Sequence, residues 1–252
     1  MINIIISGCN GKMGQVISSL IEKEPDMCVV AGFDKSGIQQ NTYPVYARPG
    51  DCIEKGDVTI DFSHPDALEP LLEYCTVKKV PLVLATTGLS QIHMNKITKV
   101  SKVIPVFHSA NMSLGINLFI DLIEKAAKVL QDAFDIEIIE KHHNQKIDAP
   151  SGTALMLADT INSVVYNNGE YVYERASKRK RRAKNEIGIH SLRGGTIVGE
   201  HSVVFAGIDE IIEINHIAMS RNIFGMGAIK AAKYIIGKQP GLYNMKTLIS
   251  NK

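Results

Sequence analysis

The opening of the chain constrains the fold more than any other feature. Ile2–Ser7 is a short, apolar, β-branched run, and Gly8, Gly11 and Gly14 follow it where a helical pattern begins. A run of that kind reads as a buried parallel strand. Glycines just after it let the backbone turn sharply and approach a bound pyrophosphate. The helix that follows adds unpaired N–H groups and the positive end of its dipole. The G-x-x-G-x-x-G spacing differs from the commoner G-x-G-x-x-G by one residue, so context must supply the rest. Asp34 does so, twenty residues beyond Gly14 and at the end of the next apolar run. An acid there can accept hydrogen bonds from ribose hydroxyls. Lys35 follows at once, and a cation there can take a 2′-phosphate. NADH and NADPH are both compatible with this pair.

The alternation continues through the first half. Apolar runs at 28–33, 57–62, 81–86 and 103–107 read as strands, with a helical pattern opened by Pro65 and another at 91–102 between them. Pro65 suits the first position of a helix, where its fixed φ fits and its missing N–H costs nothing. This pattern predicts a Rossmann-type α/β domain with a doubly wound parallel sheet. Polar loops end two of its strands: Thr86, Thr87 and Gly88, then Ala110, Asn111 and Met112. Ligands of open α/β sheets bind beyond the carboxyl ends of the strands, so both loops are candidates to face a cofactor.

The pattern changes near Asn111. A longer helix is expected at 114–130, a half-exposed strand at 134–141 and a helix after Gly152. Three strand-like stretches follow at 187–192, 197–205 and 210–217, and a helix at 223–236. Strands in series without intervening helices indicate an α+β unit with an open mixed sheet. The expected division is a dinucleotide-binding domain of 1–111 with 217–252, and a substrate-binding and oligomerisation domain of 112–216. A sheet face that no helix covers usually finds a partner, so a homo-oligomer is expected. The stretch 166–186 reads as one long irregular excursion.

That excursion holds the one marked charge run: Arg175, Lys178, Arg179, Lys180, Arg181, Arg182 and Lys184. The whole chain carries 28 Lys+Arg against 26 Asp+Glu, so the rest is slightly acidic. Nucleic-acid binding by the fold is therefore not expected, and the run reads as a solvated loop. No apolar run is long enough for a membrane span, and the apolar start is too short for a secretory signal. Cys9, Cys28, Cys52 and Cys75 are widely spaced, with no C-x-x-C pair. A metal site and a disulfide framework are both unexpected, and a reducing cytoplasm fits best.

The segment 140–154, EKHHNQKIDAPSGTA, is the richest in chemistry. His142, His143 and Lys146 leave a strand, and Pro150, Ser151, Gly152 and Thr153 start a helix. Ser151 or Thr153 can cap that helix, and the N–H groups of Gly152 and Thr153 suit a carboxylate. A histidine that titrates near neutrality, a lysine and a helix N-terminus together suit an acidic substrate that needs proton transfer. Neighbouring residues of an extended segment face opposite ways, which argues against the two histidines sharing a metal.

With these residues in view, the sequence resembles the 4-hydroxy-tetrahydrodipicolinate reductase (dihydrodipicolinate reductase) family of lysine and diaminopimelate biosynthesis. EKHHNQKIDAPSGTA and RGGTIVGEH are the specific matches. GCNGKMG, DFSHPDA, TTG, SANMSLGIN and HIAMSRNIFGMGAIKAA extend the likeness over most of the chain. The resemblance implies that His142 is a proton donor and acceptor and Lys146 a proton donor. It implies substrate contacts at His143, Ser151, Gly152 and Thr153. Cofactor contacts are implied at Gly8, Cys9, Asn10, Gly11, Lys12, Met13 and Gly14, at Asp34 and Lys35, and at Thr86, Thr87, Gly88, Ala110, Asn111 and Met112. It further implies reduction of a cyclic dicarboxylate by NADH or NADPH with loss of water, in a homotetramer. Another Rossmann-type oxidoreductase, acting on an amino acid or a sugar, is the competing reading.

Overall fold

Apolar β-branched runs and amphipathic helices alternate from the first residue, and the chain folds accordingly. The computed structural model describes residues 1–131 and 133–250. Two compact units divide it: 1–114 with the returning C-terminal segment from Arg221, and 115–220. The expected junctions, 111/112 and 216/217, lie a few residues earlier in the chain.

The first unit holds β1 (Ile2–Ser7), α1 (Lys12–Ile21), β2 (Met27–Phe33), β3 (Val45–Tyr46), β4 (Val58–Asp61), α2 (Leu68–Lys78), β5 (Leu82–Leu84), α3 (Gln91–Val100) and β6 (Pro105–His108). The second holds α4 (Leu114–Leu130), whose first residue belongs to the first unit, then β7 (Asp135–His142), α5 (Gly152–Val165), β8 (Glu170–Val172), β9 (Glu186–Arg193), β10 (Gly199–Ala206) and β11 (Ile211–Ala218). The chain then returns with α6 (Asn222–Ile235), β12 (Gly241–Tyr243) and α7 (Met245–Ser250).

The first sheet has seven parallel strands in the order β12-β6-β5-β4-β1-β2-β3. Such a sheet needs cover on both faces. One face packs Ile4, Ile6 and Ile60 with Ile17, Ala228 and Ala232. The other packs Ile5, Leu82 and Leu84 with Leu71, Leu72 and Ile97. Strand order reverses at β1, which lies between β4 and β2. The crevice beyond the carboxyl ends of β1 and β4 is therefore the place where such a sheet takes a ligand.

The second sheet is mixed, in the order β11-β10-β7-β9-β8. Strand β10 runs antiparallel to β7 and β11, while β9 runs parallel to β7 and β8. Strict alternation on β7 buries Ile136, Ile138, Glu140 and His142. The two isoleucines join Val203, Phe205, Ile116, Phe119, Ile123, Leu157 and Ile161 in one core under α4 and α5. The opposite face is open: Ile211 is 69% exposed and Ile217 59%.

Three expectations are corrected. Pro65 opens a 3₁₀ turn over Pro65–Ala67, capped by His64, and α2 starts only at Leu68. The supposed irregular excursion contains β8, paired with β9. The basic run is not simply solvated. Arg175 and Arg182 both bind Glu137, at 3.3 and 3.1 Å; Arg175 also reaches Glu186 at 2.8 Å, and Arg182 reaches Asp135 at 2.9 Å. Lys180 pairs with Glu186 and Lys178 with Glu170. Carboxylates of β7, β8 and β9 hold the run against the sheet.

Candidate active site

The cofactor half is built by the turn after β1. Gly8 adopts φ +77°, a left-handed conformation that glycine takes without steric cost. Its missing side chain also matters, since a Cβ there would lie 2.7 Å from the Phe62 carbonyl oxygen beyond β4. At Gly14 a Cβ would stand 2.2 Å from the Gly8 carbonyl oxygen and 2.6 Å from the Cys9 Cα. The turn therefore closes only with glycines. Gly11 is the N-cap of α1 and supplies no side-chain cap, so the helix starts with its first amides directed outward.

A cavity of about 500 Å³ opens here, lined by Gly8, Gly11, Asp34, Lys35, Phe62 and Ser63 among others. The Asp34 carboxylate accepts from the Ser36 N–H at 3.0 Å and from its hydroxyl at 2.7 Å. Partial burial works against ionisation there, but these hydrogen bonds outweigh it and hold the carboxyl below its ordinary range. Lys35 is exposed. Asn10 ties the loop in place by donating to Ser36 Oγ at 3.2 Å and to the Ile38 carbonyl at 2.9 Å. Cys9 lies in the core, with burial pushing its thiol up to about 11, so its side chain is packing. Lys12 is exposed on the first turn of α1.

A second cavity, of about 350 Å³, shares Phe62 and Ser63 with the first and adds Met13, Thr86, Thr87, Ala110, Asn111, Met112 and Phe224. The two polar loops and the start of α1 thus meet on one surface. Gly88 lies just outside it, at φ +74°. Beneath the floor sits Asp61, 1% exposed, accepting from the Thr86 hydroxyl at 2.5 Å and from the Ser63 N–H at 3.3 Å. The donor set fits a dinucleotide: a glycine turn for the pyrophosphate, an acid and a base for the ribose end, and small polar groups for the far end.

The residues that the sequence points to for an acidic substrate lie wholly in the second unit. Strand β7 ends at His142, which points to the buried face, and His143 starts the loop, half-buried. Lys146 sits four residues on. Its N–H donates to the His143 carbonyl at 3.1 Å, and its ammonium lies 2.7 and 2.9 Å from the Asp148 carboxylate oxygens. Ser151 caps α5, accepting from the Ala154 N–H at 3.2 Å. Of the two candidate caps the structure selects Ser151, whose hydroxyl also meets His201 Nε2 at 3.0 Å. Ser151 is 2% exposed and shapes the helix start from beneath. Gly152 is exposed and Thr153 half-buried in the first turn.

Three partners were not read from the sequence. Glu140, wholly buried, lies 2.5 Å from His142 Nδ1 and takes a bidentate pair from Arg193 at 2.8 and 2.7 Å. It also accepts the Ser151 N–H at 3.1 Å. Burial would raise its carboxyl, but hydrogen bonds from Arg193, Ser191 and His142 win and hold it at about 2. His142 itself is pushed below its ordinary value, first by burial and then by the charges of Lys146 and Arg193, against the pull of Glu140. His201 crosses the His142 ring at 5.2 Å, and burial with the nearby His142 drives it down to about 4. The i, i+2 spacing of Glu140 and His142 on a strand was a readable signal; Arg193 and His201 come from other strands and left none. Among the described residues no cluster of His, Cys, Asp or Glu is arranged to hold a metal ion. No helix among them is long and apolar enough to cross a membrane.

Comparison with known proteins covers both units. The family model for the dihydrodipicolinate reductase N-terminus matches residues 2–112, and that for its C-terminus matches 115–249. A 4-hydroxy-tetrahydrodipicolinate reductase of Caldanaerobacter subterraneus subsp. tengcongensis is 55% identical over 249 residues, 99% of this chain and 98% of that protein. One of Clostridium tetani is 51% identical, over 100% of this chain and 98% of its own. Among solved structures, the dipicolinate-bound dihydrodipicolinate reductase of Paenisporosarcina sp. TG-14 superposes with a TM-score of 0.82 at 25% identity, over 97% of each chain.

Proposed function

The chain belongs to the dihydrodipicolinate reductase family, and we propose that it reduces 4-hydroxy-tetrahydrodipicolinate to tetrahydrodipicolinate, with loss of water, at the expense of NADH or NADPH. One observation carries this reading beyond the family relationship. The second unit gathers a partly shielded histidine, a lysine and a helix N-terminus on one short segment, and a buried carboxylate joins the histidine to the helix start. That combination binds an anion and moves a proton.

Each residue has a task in this account. Gly8 to Gly14 and the first turn of α1 hold the pyrophosphate, while Asp34 and Lys35 meet the ribose end. Thr86, Thr87, Gly88, Ala110, Asn111 and Met112 border the nicotinamide. Cys9 and Asn10 support the turn from the core and from the 34–38 loop. When bound, the reduced nicotinamide supplies a hydride. The net reaction takes up that hydride and one proton and releases one water. Lys146 and His142 provide the proton, and Lys146, His143 and the amides of Gly152 and Thr153 hold the two carboxylates. The dipicolinate held by the Paenisporosarcina enzyme is a ligand of that chemical kind.

The open face of the second sheet is the surface for a homotetramer. Ile211 and Ile217 on the edge strand β11 lie on the same face as Val204 of β10. The direct test supplies enzymatically generated substrate to the purified chain and follows reduced nicotinamide by absorbance. Turnover that depends on the heterocycle is expected; none with either cofactor, from protein that binds them, would overturn the proposal.

A further inference from the structure

The geometry behind His142 goes further than a proton-carrying residue. Glu140 and His142 stand two apart on β7, so the pleat turns both to the buried side. An ionised carboxylate offers only acceptors. At 2.5 Å from Glu140 Oε2, the His142 Nδ1 must therefore be the donor, and in the neutral ring Nε2 is left with the lone pair. A buried carboxylate alone beside a histidine would hold it as an imidazolium. Here Arg193, from the end of β9, spends both terminal nitrogens on the same carboxylate.

We propose that Glu140 and Arg193 are a charge-balanced pair of positioning residues, which fix the His142 ring in the Nδ1–H tautomer and leave Nε2 as the nitrogen that exchanges protons with substrate. The charged and titratable groups that face the ring are Glu140 on its own strand, Arg193 on β9, His201 on β10 and Lys146 on the following loop. Asp148 reaches it only through Lys146. Among the described residues Glu140 is the single anion in direct contact, and its charge is already shared with Arg193. The ring is thus oriented without being trapped in its charged form.

Two further contacts support this arrangement. Arg193 also donates to the Asp148 carbonyl at 2.7 Å, and Glu140 also accepts from the Ser151 N–H. The same ion pair therefore sets the ring, the Lys146 loop and the start of α5 relative to one another. On the other side of the ring, a Cβ at Gly199 would stand 3.1 Å from Nε2. The missing side chain there leaves room at the nitrogen that the tautomer exposes.

The inference rests on His142 being the proton-handling group, which His142→Gln tests by itself. Its own tests are separate. In wild-type protein, ¹⁵N chemical shifts of the His142 ring, assigned by their loss in His142→Gln, are expected to show a protonated Nδ1 and a bare Nε2 above the ring's pKa. The reverse tautomer overturns the proposal. The second test is the pH profile of kcat, in the limb that His142→Gln removes. Glu140→Gln deletes the anion and should move that limb to lower pH; Arg193→Met deletes the balancing cation and should move it to higher pH, each by about 1–3 pH units. Glu140→Gln should also lower kcat by at least about 10–100-fold, the loss seen when the carboxylate behind a metal-bound histidine is removed. A merely structural role for the pair predicts lower melting temperatures with an unmoved limb, and shifts in the same direction would likewise refute it. If Arg193→Met does not fold, the tautomer measurement and Glu140→Gln still decide.

Discussion

Replacing each glycine of the first turn by alanine should damage dinucleotide binding in an order set by distance. At Gly14 the added methyl would meet the Gly8 carbonyl oxygen at 2.2 Å and the Cys9 Cα and carbonyl oxygen at 2.6 Å. All three are backbone atoms, so no side chain can swing aside. Restoring contact demands an opening of roughly 1 Å, and misplacement of that size typically costs about 10²-fold in a positioned site. At Gly8 two penalties combine: φ of +77°, worth about 1–2 kcal/mol for an L-residue, and an approach of 2.7 Å to the Phe62 carbonyl oxygen. At Gly11 the nearest atom is 3.2 Å away and the backbone is extended, so a shift of a few tenths of an ångström suffices. Gly50, with nothing within 4 Å, is the control. Overpacking of about 1–3 kcal/mol should lower Tm by about 2–4 °C per kcal/mol in a protein of this size. Fluorescence titration of NADH and NADPH, run beside thermal melts, reads both effects. Gly14→Ala and Gly8→Ala should lose about 10²-fold or more in affinity, and Gly11→Ala less than about tenfold. Wild-type affinity in Gly14→Ala, or equal losses at Gly11 and Gly14, would refute the argument that turn closure forms the site.

Further outcomes are expected elsewhere in the chain. Lys35→Ala should weaken NADPH more than NADH by about 1–2 kcal/mol, because only the former offers a 2′-phosphate to an exposed lysine; equal losses in binding titrations would sink this. Lys146→Met should raise KM and lower kcat together, since the ammonium both neutralises the substrate and gives a proton, and a pure KM effect would leave it only the first role. Ile217→Asp places a charge on the open sheet face and should reduce the mass in light scattering without unfolding the second unit; an unchanged oligomer, or a wild-type chain that is already monomeric, would count against assembly through this sheet.

The parts of this molecule that could be read from its sequence are those encoded locally. The strand, glycine turn and helix at the N-terminus lie within one short stretch, and periodicity alone places β1, α4, β7 and α6 close to their observed bounds. Strands β3, β8 and β12 have two or three residues each, too few for any alternation to register. Pro65 fits the start of a 3₁₀ turn as well as that of an α-helix, so its φ preference could not separate the two. The basic run misled for another reason. Its anchors, Asp135 and Glu137, lie some forty residues earlier, and only the parallel pairing of β7 with β9 brings Glu137 beside Gly188, where no side chain obstructs it. The same holds at the active site. His142, Lys146 and the α5 cap share one segment and stood out at once, whereas Arg193 and His201 reach His142 only through the sheet.

In the proposed reaction His142 serves chemistry rather than structure. The most direct test is a single set of measurements on wild-type and His142→Gln protein: thermal melt, NAD(P)H affinity, and steady-state turnover of the cyclic dicarboxylate. Cofactor affinity should be unchanged, because His142 belongs to the second unit and the dinucleotide surface to the first. With a melt near that of wild type, kcat should fall by about 10²–10⁴-fold, the range for a lost general acid–base. A stable His142→Gln protein with wild-type kcat would contradict the account.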